Sequence, residues 1–218
     1  VLMVVYNNTN IDLLYDDGTV LNMSDIKRKN IPGNKTVNRI TFEGSLAYLS
    51  CGFGIVVLDL TRREVKDTYF ISASSSDADV NDVALDGTYI YAAANNGIYR
   101  AALNDPYLNN NTAWTKIAND TSARGDFTQA EYFNNNVYFN YTLAGYDSLM
   151  GWNGAWGVTL PAVMQTGSRK SALTAVNNKL YITEGGLFTV LDGALQTLSF
   201  IDGSVVPSPS FNEGAESS

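Results

Sequence analysis

The sequence predicts an all-β fold built from β-propeller blades, each of four antiparallel strands, and three observations carry that expectation. A tyrosine near the start of a strand recurs at Tyr48, Tyr91, Tyr138 and Tyr181, a spacing of 43, 47 and 43 residues. Repeats of that length, made of short strands and tight turns, mark a propeller blade. An Asx- or Gly-rich turn precedes each tyrosine, at Glu43-Gly44-Ser45, Asp86-Gly87-Thr88, Asn134-Asn135-Asn136 and Asn177-Asn178. Such residues tolerate the positive φ of a tight hairpin. A glycine follows the tyrosine by about six residues at Gly54, Gly97 and Gly186, each before an apolar residue, where the chain reverses without a Cβ clash.

In chain order, the opening unit fits this register with Val4 at the tyrosine place, Asn10 at the glycine place and Ile11 at the apolar one. Val1 then lies inside a second strand, Ile11 to Tyr15 is a third, and an outer strand follows the turn Asp16-Asp17-Gly18. Inner strands open the later units at Val37, Val80, Phe127 and near Lys170. Their third strands are Ile55 to Leu60, Ile98 to Leu103, Tyr146 to Trp152 and Leu187 to Leu191, with outer strands after turns such as Asn153-Gly154 and Asp192-Gly193. The run Ile55-Val56-Val57-Leu58 reads as a fully buried strand. Blades are expected at about 1–26, 37–71, 80–117, 127–160 and 170–203 within a unit of 1–206, with 207–218 as a linker or tail.

The count is four complete blades and one of three strands, either part of a larger propeller or a five-bladed ring closed by the last dozen residues. An open stack would leave an apolar sheet face in water, and a face of ~500 Å² forfeits on the order of 10 kcal/mol. Further blades of a longer protein, or another chain, are therefore expected to cover the open faces.

Composition supports one all-β unit and removes much chemistry. Of the 218 residues, 45% are hydrophobic, enough to fill cores between sheets, and no apolar run is long enough to span a bilayer. With 22 acidic and 14 basic residues, the formal charge of -8 argues against nucleic acid or an anionic surface as a general partner. There is no histidine, so no Ser-His-Asp device or imidazole metal ligand can be assembled. Cys51, the only cysteine, can make neither an intrachain disulfide nor a thiolate cluster and is expected to be a small buried side chain. Neither catalytic residue, metal nor cofactor is expected.

An enzyme on this chain would have to work with carboxylates, as glycosidases do. Asp77, Asp79 and Asp82 gather before and within one inner strand, near Ser74-Ser75-Ser76. As solvated loop residues and a turn cap they need no function; a polar pocket with two convergent carboxylates would give them one. Two other features suit binding. Trp152-Asn153-Gly154-Ala155-Trp156 sets two tryptophans around a turn, with Tyr146, Tyr141 and Asn140 in the same blade. These rings either fill a gap between blades or form a platform on which sugar rings stack. Lys27-Arg28-Lys29, followed by Lys35 and Arg39, is a basic loop, either merely solvated or able to meet phosphate and carboxylate groups. The candidate ligand-binding residues are thus Trp152, Trp156, Tyr146, Lys27, Arg28 and Lys29. Asn-x-Ser/Thr triplets at Asn7, Asn22, Asn34, Asn110, Asn119 and Asn140 read as chance products of Asn-rich turns.

Asn10-Ile11-Asp12-Leu13-Leu14, the run Leu46 to Leu60, Val65-Lys66-Asp67-Thr68-Tyr69, Ile90-Tyr91-Ala92-Ala93 and Asn96-Gly97-Ile98-Tyr99-Arg100-Ala101 together resemble the N-terminal propeller region of PorZ-like proteins of Bacteroidetes. The resemblance is specific over about the first half and architectural beyond Pro106. It implies two propellers and a C-terminal secretion-type domain in the parent protein, action in type IX secretion and a connection with anionic lipopolysaccharide. Related blades occur in the sensor halves of hybrid two-component regulators. The expected function is a non-enzymatic scaffold or recognition module, exported to the periplasm or outer-membrane cell surface. Its expected partners are a surface glycan, anionic lipopolysaccharide or proteins of a secretion complex. Alternatives are an oligosaccharide-sensing propeller of a hybrid two-component regulator and a carbohydrate-active hydrolase or lyase.

Overall fold

In the computed structural model, Ile55, Val56, Val57 and Leu58 are all at most 2% exposed, so this strand is covered on both faces. Covering both faces of a sheet requires neighbours stacked on either side, which is how blades pack. The structure describes residues 1–31, 33–74, 78–119, 125–144, 146–158, 166–167, 170–184 and 187–202. The expected tail at 207–218, along with Ser75, Ser76 and Asp77, lies outside them.

The described residues form five antiparallel sheets in chain order. The first has three strands, β1 (Leu2–Val5), β2 (Ile11–Leu14) and β3 (Val20–Met23), followed by the one-turn helix α1 (Asp25–Arg28). The second runs β4 (Val37–Glu43), β5 (Leu46–Cys51), β6 (Gly54–Asp59) and β7 (Glu64–Tyr69). The third runs β8 (Val80–Leu85), β9 (Tyr89–Ala94), β10 (Gly97–Ala102) and β11 (Thr115–Asn119). The fourth runs β12 (Gly125–Phe133), β13 (Asn136–Leu143), β14 (Tyr146–Trp152) and β15 (Thr166–Gly167), and the fifth β16 (Lys170–Val176), β17 (Lys179–Glu184), β18 (Leu187–Leu191) and β19 (Thr197–Asp202). This is the β-propeller architecture, with four four-stranded blades and one of three strands.

The hydrophobic clusters alternate with the sheets. Ile11 and Leu13 meet Ala47, Leu49 and Val56. The opposite face of the second sheet, with Tyr48, Ile55 and Val57, meets Val80, Ile90 and Ala92. Tyr91 and Ile98 then meet Phe127 and Phe139, and Tyr138 and Leu149 meet Leu173, Leu180 and Ile182. The repeated tyrosine therefore faces the following sheet each time, because side chains alternate across a strand. Tyr181 repeats that place on the last described sheet, where it is only part-buried and lies 6.0 Å from the ring of Phe188.

A second repeated device lies in the inner strands. Each of β4, β8, β12 and β16 carries a one-residue bulge, between Val37 and Arg39, Val80 and Asp82, Phe127 and Gln129, and Lys170 and Ala172. A bulge leaves one residue outside the ladder and re-aims its side chain. Asn38 uses this freedom to donate 2.8 Å bonds to the carboxylate of Asp79 and the carbonyl of Val80 in the next sheet. Asn81 likewise donates 2.9 Å to the carbonyl of Phe127. The bulged asparagines are thus clasps between consecutive blades.

Three sequence expectations are corrected. The tyrosine place of the first sheet belongs to Met3: Met3 pairs with Leu13 as Tyr48 pairs with Val57. The turn between β1 and β2 holds one residue more than its counterparts, and a one-residue slip moves a side chain to the other face. The positive φ in that turn falls on Thr9, at 63°, with Thr9 N–H bonded to the Tyr6 carbonyl, and not on Asn10. After Asn153-Gly154 the described residues form a bridge between Trp152 and Trp156, and the fourth strand of that sheet is the two-residue β15. By contrast, Asn134-Asn135 and Asn177-Asn178 take positive φ at both residues, as tight hairpins require. Cys51 is fully buried, and burial pushes its thiol up to about 12.

Candidate functional site

The basic loop is built on one anchor. Ile26, at 4% exposure, plugs α1 into the core between the first two sheets, which turns Lys27, Arg28 and Lys29 outward. The ammonium of Lys35 donates to the carbonyls of Lys27 and Lys29, so it braces the helix end, where a cation complements the unsatisfied carbonyls. Arg28 and Lys29 line a cavity of about 490 Å³ together with Asn22, Ser24, Asp25, Val56, Val65 and Thr68. A second depression of about 390 Å³ shares Lys29, Val65 and Thr68 and adds Lys66, Asp67, Phe70 and Asn109. Together they form a groove along β7 with Arg28, Lys29 and Lys66 on its walls. Lys66 has no signal in the sequence as part of this loop; only the packing of α1 over β7 recruits it. Arg39, grouped with the loop by proximity in sequence, is elsewhere.

Arg39 lies on an inner strand, where its Nε is 3.3 Å from the carboxylate of Asp82. Asp82 is 2% exposed and accepts N–H bonds from Ala130 at 3.0 Å and Val83 at 2.8 Å. One carboxylate therefore ties β4, β8 and β12 together. Burial pushes it up to about 6, against the pull of Arg39 and the two N–H donors. The same strands, with β16, enclose a cavity of about 430 Å³ that is lined by Arg39, Thr41, Glu43, Asp82, Glu131 and Thr174 among others. Burial raises Glu131 to about 7; the Ala175 N–H opposes this and the charge of Asp82 adds to it. Three carboxylates, Glu43, Asp82 and Glu131, thus line one cavity, and an enzyme on this chain would need two of them to converge. Asp82 is enclosed and fully engaged, whereas the exposed Glu43 and the part-buried Glu131 remain within reach of a ligand. Among the described residues, no cluster of acidic or cysteine side chains is arranged to hold a metal ion.

Glu131 also sets a pH dependence. Its folded value lies above its ordinary 4.5, so its contribution to stability is complete below about pH 4.5 and lost as pH rises through about 7. Glu131→Gln mimics the protonated form at every pH. The variant is expected to match the parent near pH 4.5 and exceed its unfolding free energy by about 3 kcal/mol at pH 8. Urea midpoints at the two values test this, and an equal difference at both would contradict it.

The aromatic residues separate. Trp152 and Trp156 meet edge to face at 4.8 Å, and both pack into the cluster between the third and fourth sheets. Trp156 donates its indole N–H to the carbonyl of Ile117 at 3.2 Å and lies 6.0 Å from Phe139. Tyr146 stands at the opposite end of β14 from Trp152, paired with Leu143 and 73% exposed, so it shares no site with the tryptophans. Asn140 is fully buried and donates 2.8 Å to Asp147 and 2.9 Å to Thr128, which also closes it to glycosylation. No helix among the described residues is long and apolar enough to cross a membrane.

Comparison with known proteins gives a consistent picture. The family described as the N-terminal β-propeller domain of PorZ, of the type IX secretion system, matches residues 1–115. Among solved structures, the chain is similar to PorZ of Porphyromonas gingivalis, an essential bacterial surface component of the type IX secretion system of that organism. That similarity has a TM-score of 0.68 and 22% identity, over 92% of this chain and 25% of that one. It is also similar to the extracellular domain of a putative hybrid two-component system from B. thetaiotaomicron, with a TM-score of 0.54 and 15% identity, over 90% of this chain and 27% of that one. At these identities the likenesses establish the fold. The chain spans about a quarter of the length of either structure. No curated protein matches it.

Proposed function

Since the chain belongs to the PorZ N-terminal β-propeller family of the type IX secretion system, we propose that it is a non-catalytic recognition module. It acts at the bacterial cell surface or in the periplasm and holds an anionic glycan or lipopolysaccharide in the groove along β7. The observation that carries this reading is the convergence of Arg28, Lys29 and Lys66 on one groove of an acidic chain. Cations set on an anchored helix and on the neighbouring strand β7 meet phosphate and carboxylate groups, while the net negative charge elsewhere keeps the interaction local. Partner proteins of the secretion machinery are a second class of ligand for the same surface. The non-catalytic reading rests on the family, a secretion-system propeller, and on the structural commitment of Asp82, one of the three carboxylates of the inner-strand cavity.

Replacing Arg28, Lys29 and Lys66 together by Ser is expected to weaken binding to an anionic lipopolysaccharide on the order of a hundredfold at low salt, at about 1 kcal/mol per charge near an anionic surface. Salt should weaken the parent in the same direction. Surface plasmon resonance on immobilised lipopolysaccharide would measure both effects, and an unchanged affinity at low salt would reject the groove.

A further inference from the structure

On the margin between the third and fourth sheets lies a smaller hollow of about 170 Å³, the size of a single sugar ring, that the basic groove does not touch. Its walls are aromatic, with Tyr89, Tyr91 and Trp152, and Arg100 stands among them. The Arg100 guanidinium carbon is 4.4 Å from the centre of the Tyr89 ring and 5.7 Å from that of Trp152. Two aromatic faces hold the side chain in place without neutralising it. Among the described residues no carboxylate lies within ion-pair distance of Arg100.

The carboxylate on the same wall, Asp86, is already used. One oxygen accepts the N–H groups of Thr88 at 2.8 Å and Tyr89 at 2.6 Å, and the other accepts the Tyr91 hydroxyl at 2.8 Å. Burial and that bond raise Tyr91 to about 12, so its hydroxyl remains a donor to Asp86 across the physiological range. Asn135 spends its carbonyl oxygen on the Tyr132 hydroxyl at 3.3 Å, which leaves its amide N–H groups for a ligand. Beside flat apolar faces, the hollow offers the Arg100 cation, which also bonds the Tyr91 hydroxyl, the amide N–H groups of Asn135 and the side-chain amide of Asn153, so that donors outnumber acceptors. That set selects a flat-faced ring carrying an acceptor-rich anion.

We propose that this hollow is a subsite for one uronic acid residue, with the pyranose ring against Tyr89 or Trp152 and its carboxylate on Arg100 and Asn135. It is separate from the β7 groove, so the two assignments stand or fall independently. The test titrates the full chain with methyl β-D-glucuronide and methyl β-D-glucoside, following tryptophan fluorescence and calorimetric heat. The glucuronide is expected to bind about tenfold more tightly than the neutral sugar, the usual weight of one charge-assisted contact. Arg100→Gln should erase that preference, Asn135→Ala should reduce it, and Arg28→Ser with Lys29→Ser should leave it intact. Thermal melts of each variant separate loss of contact from loss of fold, and Asn135, being exposed, gives a readout even if Arg100→Gln unfolds. Equal affinity for the two sugars, no binding of either up to ~10 mM, or a preference that survives both hollow variants would overturn the assignment.

Discussion

Asp82→Ala is expected to lower the unfolding free energy by about 3 kcal/mol, because it strands the Arg39 guanidinium and the Ala130 N–H where three blades meet. Two effects oppose each other. Removing the carboxylate relieves the cost of burying a charge that burial has already pushed up to about 6. The loss of its partners outweighs that relief, since Asp82 is 2% exposed and the Ala130 N–H that it serves is buried too. Arg39 is one-third exposed and can partly turn to water, which keeps the cost below the upper end for a broken buried pair. Asp82→Asn keeps an acceptor for the N–H groups and should cost about half as much. Urea denaturation with an unchanged m-value measures both, and a loss under about 1 kcal/mol for the alanine variant would show that the clamp is redundant.

Gly54→Ala is expected to destabilise by a similar amount, about 3 kcal/mol, for a different reason. Gly54 opens β6 with φ at 142°, a conformation that side-chain-bearing residues rarely adopt, and a Cβ there would run into the backbone carbonyl oxygen of Tyr69 on β7. The obstacle is backbone, so no rotamer change relieves it, and strain adds to overpacking. Gly44 has φ at 58° and open space around it. Gly44→Ala should cost about 1 kcal/mol, from backbone strain alone. Thermal unfolding of the pair separates the two terms, and equal losses at both sites would remove the steric argument.

The contrast shows how the sequence is read. Glycine after the tyrosine does mark a landmark of the repeat, but its reason is the close approach of the outer strand as much as the turn. The tyrosine spacing was legible because Tyr48, Tyr91 and Tyr138 each meet the same demand, filling the space against the next sheet. The bulged asparagines were present in the text as Val37-Asn38 and Val80-Asn81, yet what they bind, Val80 and Phe127, lies 42 and 46 residues away. Met3 was misplaced by one residue because the alternation of apolar residues in a four-residue strand does not report the length of the turn that follows it.

Candidate sites were less legible than the fold. Lys27, Arg28 and Lys29 announced themselves as a charge run, whereas Lys66 sits in an ordinary alternating strand and joins the groove only when α1 packs beside β7. Tyr146 and Trp152 are close in sequence and stand at opposite ends of one extended strand, which rises about 3.3 Å per residue. Trp152 instead meets Arg100 across a blade boundary.

The sequence by itself determined the all-β blade, its period, its turns and the removal of histidine chemistry, because these depend on residue types at fixed local spacing. Only the tertiary structure decided which blade face each repeat position meets, that Arg39 serves Asp82, and that Tyr89, Arg100 and Trp152 form one wall. Those relations are set by sheets stacking on sheets, and contacts between stacked blades carry no periodicity along a single strand from which they could be read.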